Sequence, residues 1–269
     1  MKMRSEPANL PNTRKHLLGI ILKEHFFDVV ICSVYVFVFA FPLLFWLIYI
    51  GFTDFVNITS ENYLMNSLII NLPIMVGIII FGFGIGGSLY YMKKLCFQEG
   101  SNVHQDFFKG IAKTFKQSLL SFFVIGLTYF LLNVARNMLV FGTDLNEYIK
   151  AILTGLMYVV LLIVIIFNSF IMTQSILYNA TQAQLIMNAF RFFIGKFLLN
   201  IPIFLMMLLP FLIYEFVPFV IAHLIVIGIS AIWHFGFNSL VFTLYSHHIF
   251  DLSINKNYPE IYRKGLKSE

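Results

Sequence analysis

Long apolar runs separated by short polar segments set the pattern of this chain. A helix needs about 20 apolar residues to cross a hydrocarbon core of roughly 30 Å. Six stretches meet that length: residues 29–50, 67–91, 119–140, 152–172, 197–214 and 219–244. Only residues 215–218 separate the last two, which predicts a tight helical hairpin with Pro218 opening the sixth helix. The first run exceeds the roughly 7–15 apolar residues of a signal peptide, and Gly51-Phe52-Thr53 offers no small-x-small cleavage site, so it is expected to remain as a helix.

Two further segments read as amphipathic. From 103 to 116 the apolar Val103, Phe107, Ile111 and Phe115 recur every fourth position, with Lys109, Lys113 and Lys116 on another face. That spacing predicts a basic interfacial helix, a candidate contact with the inner surface or with a partner. Residues 14–27 read alike: Leu17, Leu18, Ile21, Leu22 and Phe26 alternate with Lys15, His16, Lys23 and Glu24, so this segment is expected along the inner leaflet. The expected fold is all-α, a bundle of six transmembrane helices with cytoplasmic amphipathic helices. It divides into an arm at 1–28, a membrane domain at 29–250 and a tail at 251–269. A loose echo between 107–116 and 186–195 raises the idea of an internal duplication.

Charge placement gives this pattern a direction. Of 18 Lys and Arg, all but Arg136 and Lys150 fall on one side of the predicted spans. An excess of these residues marks the cytoplasmic face, so both termini are expected inside the cell. The opposite loops are short and carry Asp54, Glu61, Asp144, Glu147 and Glu215. Topology therefore accounts for the net charge of +5, and no nucleic-acid partner is needed. Composition agrees: 59% hydrophobic and 12% charged residues, against about 45–50% and 25% in soluble domains. Two cysteines, Cys32 and Cys96, cannot make a disulfide framework.

Polar groups inside spans are costly, so they are the first places to look for function. In the sixth span Ser230, His234 and Asn238 lie four residues apart on one stripe. They fit either a substrate path or proton-responsive element, or plain hydrogen bonding to a neighbouring helix. Gly82 and Gly86, with Gly87 beside them, form a small-residue surface for close packing, within the chain or against a partner. Pro73 predicts a kink in the second span, with Asn71 placed to satisfy freed backbone groups.

Arg136, near Asn133 and Asn137, fits an anionic ligand, snorkelling to headgroups, or pairing with Asp144 or Glu147. Asn168, Ser169, Thr173 and Gln174 near the inner end of the fourth span leave the same choice between ligand and helix contact. His247 and His248 are adjacent and cannot share one metal on a helix. There is no His-Glu-x-x-His, Gly-x-Ser-x-Gly, Walker sequence or intramembrane carboxylate pair. The expectation is a non-enzymatic protein with no cofactor and no metal.

The run Ile85-Gly86-Gly87-Ser88-Leu89-Tyr90-Tyr91-Met92-Lys93-Lys94-Leu95-Cys96-Phe97-Gln98-Glu99-Gly100 resembles the signature of the YesL family of bacterial membrane proteins. So does Asp106-Phe107-Phe108-Lys109-Gly110-Ile111-Ala112-Lys113-Thr114-Phe115-Lys116-Gln117-Ser118-Leu119. Asn188-Ala189-Phe190-Arg191, Asn238-Ser239 and Ile249-Phe250-Asp251 are similar to its later landmarks. The family has no established catalytic residues. The resemblance implies a bacterial plasma-membrane protein associated with carbohydrate uptake by ABC-type importers, as an accessory or regulatory subunit contacting membrane subunits, ATPase and lipid. The alternative is a stand-alone permease for a small neutral or weakly polar solute, with its path along Ser230, His234 and Asn238. A purely structural or sensory component is a third possibility. The polar arm and the extended tail depart from the family pattern.

Overall fold

The structure, a computed structural model, describes residues 10–52, 59, 61–217 and 220–267. The predicted helix start at Pro218, and Lys2, Arg4 and Asp54, lie outside the described residues, as does the side chain of Glu215. Helices account for nearly all of the described chain, and no strand occurs in it. They are α1 (Arg14–Glu24), α2 (Phe26–Phe52), α3 (Tyr63–Cys96), α4 (Val103–Phe141), α5 (Glu147–Leu177), α6 (Gln182–Gly195), α7 (Phe197–Phe216), α8 (Val220–Ile229) and α9 (Phe235–Leu252). A π-helical segment, Ser230–His234, joins α8 to α9, and a short 3-10 turn, Asn255–Asn257, follows.

Among the described residues, five stretches are long and apolar enough to cross a membrane: Phe26–Ile50, Tyr63–Cys96, Val103–Phe141, Glu147–Leu177 and His223–Leu252. Gln182–Gly195 and Phe197–Ile213 pass the same test only together and are bent by 99° at their break, the geometry of a broken span or a re-entrant segment. The chain is an all-α, multi-pass membrane protein.

One element differs from the sequence reading. Residues 103–116 do not form a separate helix lying on the surface. They are the first turns of α4, whose 39 residues run about 58 Å, nearly twice the hydrocarbon thickness. No Gly or Pro stands between Ile111 and Ile125 to break the helix. Its buried line follows Val103, Asp106, Phe107, Gly110, Thr114, Gln117, Ser118 and Ser121 rather than the apolar positions alone. Phe107, expected on an outward contact face, is fully buried.

Contacts divide the chain into two compact units. The first comprises Met1–Tyr35, Gly87–Ala112 and Met207–Glu269; the second comprises Val36–Gly86 and Lys113–Met206.

In the first unit α1 lays Arg14, Leu17 and Ile21 against α9. Burying Leu17 and Ile21 is worth about 1.5–3 kcal/mol each. Thr13 caps α1 by accepting from the His16 amide at 3.2 Å. At Gly236 of α9 an added Cβ would lie 2.2 Å from the Val29 carbonyl of α2, so only glycine lets these backbones approach.

In the second unit the Trp46 indole of α2 donates to the Ile70 carbonyl of α3 at 3.0 Å, in the turn that Pro73 disrupts. Asn71, the residue expected to serve that turn, donates instead to Ser67 O at 2.9 Å. The indole of a neighbouring helix thus reaches a carbonyl of this turn, which the Asn71 side chain does not. Here α5 packs on α6, and the Gln174 amide donates to the Leu185 carbonyl at 3.3 Å.

Candidate functional site

The polar stripe of the sixth span lies where the helix changes register. Ser230–His234 is π-helical, an arrangement common at functional sites because the wider turn redirects side chains and backbone groups. The Ser33 hydroxyl of α2 donates to the Ser230 carbonyl at 3.0 Å. His234 Nε2 lies 3.1 Å from the Met207 carbonyl of α7, three residues before Pro210, which lacks an amide proton and crowds the preceding turn. Asn238 Nδ2 lies 2.6 Å from the same ring nitrogen. One nitrogen cannot both donate to Met207 and accept from Asn238. A protonated Nε2 carries one hydrogen, which the Met207 carbonyl accepts and which the Asn238 amide oxygen, once turned toward the ring, shares.

The structure thus brings His234 and Asn238 into hydrogen-bonding contact and puts His234 on a neighbouring helix. The buried Ser230 hydroxyl meets no partner among the described residues.

The other sequence candidates are placed as follows. An added Cβ at Gly82 would meet the Phe122 ring of α4 at 2.3 Å, and one at Gly86 would meet the Thr114 and Ser118 hydroxyls at 2.4 Å. At Gly87 it would meet the Phe107 carbonyl at 2.9 Å. These glycines therefore face α4 of the same chain. Lys109, Lys113 and Lys116 are exposed. Arg136 Nη1 donates to the Tyr158 hydroxyl at 2.6 Å, and Asn137 donates to the Ser67 hydroxyl. Asn168, Ser169 and Thr173 donate to Val164, Ile165 and Ser169 carbonyls at 2.9, 2.8 and 2.6 Å, one turn back in their own helix.

A second polar centre, in the unit that holds the stripe, joins α1 to the end of α9 and the segment that follows it, and the sequence reading did not foresee it. Arg14, counted there only as a topological charge, is buried and donates through Nη2 and Nε to Asp251 Oδ2 at 2.8 and 3.2 Å. Its Nη1 donates to the Lys264 carbonyl at 2.8 Å. Asp251 Oδ1 accepts from Asn255 at 2.7 Å and from the Arg263 amide at 3.2 Å. Lys264 Nζ pairs with Glu99 at 2.7 Å and sits 4.9 Å over the Phe97 ring, and Phe97 in turn stacks on His247.

The tail turns at Gly265, whose φ of +82° and contact with the Cys96 carbonyl both require glycine. His247 is buried, and neither ring nitrogen meets a partner among the described residues. Burial pushes the Glu99 carboxyl up, but the Lys264 hydrogen bond and the Lys93 charge outweigh it and hold the group below its ordinary value. Arg14 and Asp251 lie 237 residues apart, so neither spacing nor periodicity could have joined them.

Among the described residues no group of three or more His, Cys, Asp or Glu could hold a metal ion. Both cysteines are free and buried. No family model, curated protein or solved structure matches the chain.

Proposed function

We propose that this chain is a non-catalytic membrane subunit that acts beside an ABC-type carbohydrate importer in a bacterial plasma membrane, with both termini cytoplasmic. One observation favours a packed subunit over a solute path. Several polar side chains within the spans are spent on their own backbone: Thr128, Asn133, Asn168, Ser169 and Thr173 each donate to the carbonyl four residues back. A lined path needs such groups open to solute, whereas a packed subunit needs them satisfied. The importer context draws its support from the YesL-like residues 85–100 and 106–119. The orientation draws its support from the one-sided placement of Lys and Arg. In this reading the basic face at Lys109, Lys113 and Lys116 meets the partner at the inner surface.

The testing experiment is sugar uptake by cells lacking this chain, set beside uptake by the purified chain in liposomes. Reduced uptake in the cells with no transport in the liposomes is the expected pair of results. Transport by the purified chain alone would replace this reading with a stand-alone permease. The π-helical turn holding His234 and Asn238 is the feature that favours that second reading. There, His234→Ala should abolish the liposome flux.

A further inference from the structure

We infer that α6 lies in the plane of a membrane–water interface, with one face seated in lipid. This inference concerns the protein's contact with the bilayer and is independent of any partner.

First, α7 does not need α6 to cross the membrane. Its 20 residues span about 30 Å, the thickness of the hydrocarbon core. The helix that precedes it turns away by 99° at Lys196, which is the angle of an element lying along a bilayer when its neighbour crosses it.

Second, the side chains of α6 divide into three sectors. At 3.6 residues per turn, Leu185, Ala189 and Phe192 fall within about 60° of one another. They form the buried face, with Leu185 and Phe192 touching α5. The exposed apolar side chains Ile186, Met187, Phe190 and Ile194 occupy about 100°, centred roughly 150° away from that face. Each of the four is 48–58% exposed. Gln184, Asn188 and Arg191 fill about 60° between these two sectors. A helix with a packed face, an apolar face and a polar face has three different neighbours: protein, hydrocarbon and water.

Third, the helix ends suit a low-dielectric setting. Thr181 and Gln184 form a capping box, with bonds of 3.4 and 3.0 Å. At the break, the buried Asn200 amide donates to the Phe192 and Phe193 carbonyls, both at 3.3 Å. The Phe192 carbonyl also accepts from the Lys196 amide at 3.2 Å, so it is the Phe193 carbonyl at the bend that Asn200 serves, as a carbonyl near lipid must be met from within the protein.

The role that residues 103–116 were expected to fill thus belongs to α6. The exposed apolar face is assigned to lipid rather than to a protein partner because a polar sector borders it and the helix runs crosswise to a membrane-crossing neighbour.

Nitroxide labels at Ile186→Cys, Phe190→Cys and Arg191→Cys in phosphatidylcholine/phosphatidylglycerol proteoliposomes test this; the native Cys32 and Cys96 are buried and will not label. Ile186→Cys and Phe190→Cys should relax more with oxygen than with a water-soluble nickel chelate, and Arg191→Cys should do the reverse. Preference for nickel at 186 and 190 overturns the inference, as does shielding from both reagents, which would mean that protein covers this face. Phe190→Trp, which keeps an aromatic of similar bulk, gives a second readout by brominated-lipid quenching. Stronger quenching by shallow than by deep bromines is expected, and the opposite order would make α6 a re-entrant segment.

Discussion

Removing Asp251 should be among the most damaging single changes to the first unit. Its carboxylate holds the buried Arg14 guanidinium through two bonds to one oxygen, while the other oxygen receives Asn255 and the Arg263 amide. Both side chains are less than a tenth exposed, so Asp251→Ala leaves a guanidinium that water cannot reach. Breaking a buried pair from one side costs about 3–5 kcal/mol, whereas replacing both partners by apolar residues is often neutral or better. At roughly 2–4 °C per kcal/mol for a chain of this size, the single variant should melt about 6–20 °C lower.

The assay is thermal unfolding of the detergent-purified protein for wild type, Asp251→Ala, Arg14→Met and the Arg14→Met/Asp251→Ala pair. The double variant should lose less than the sum of the singles, since neither leaves a charge stranded once both are gone. Single losses under about 1 kcal/mol, or strictly additive losses, would refute the claim that this pair fastens α1 to α9.

Gly236→Ala should cost about 1–3 kcal/mol, because its Cβ would meet the Val29 carbonyl at 2.2 Å, while Gly155→Ala, with nothing within 4 Å, should be neutral or slightly stabilising; paired melting curves check both. Asn200→Ala should cost about 1–3 kcal/mol by taking the Asn200 amide from the Phe193 carbonyl, while Phe192 keeps the Lys196 amide, and should loosen the α6–α7 break as read by faster proteolysis there. The Glu99 carboxyl sits below its ordinary value, so its pairing with Lys264 stabilises the fold above pH 4.5 and loses that contribution as pH falls through the lowered folded value. Glu99→Gln should flatten that part of the stability–pH curve while costing under about 1 kcal/mol at neutral pH, since both side chains are partly exposed.

What could be read from the sequence is what depends on composition over long windows. Crossing helices announce themselves through unbroken apolar length, so the spans centred in α2, α3, α5 and α9 stand close to where the runs of Val, Ile, Leu and Phe put them. Periodicity failed at α4 because its buried line is built from small and polar residues such as Gly110, Thr114 and Ser118, and an apolar template passes over them. Lipid explains the failure: when the outside is as apolar as a core, exposed Phe115 and buried Phe107 look alike in sequence. The spacing of Ser230, His234 and Asn238 was visible, but the π-helical turn was not, because an extra residue in a helical turn leaves no compositional trace. Arg14 with Asp251, and Trp46 with the Ile70 carbonyl, are single long-range contacts that only tertiary structure can join.

The most direct test of a subunit role is affinity purification of the tagged full-length chain in mild detergent, followed by mass spectrometry of what accompanies it. The account predicts stoichiometric recovery of the membrane subunits and ATPase of a carbohydrate importer, reduced when Lys109, Lys113 and Lys116 are changed together to Gln. Repeated recovery of the chain alone, folded and in amounts sufficient to detect a partner, would contradict it.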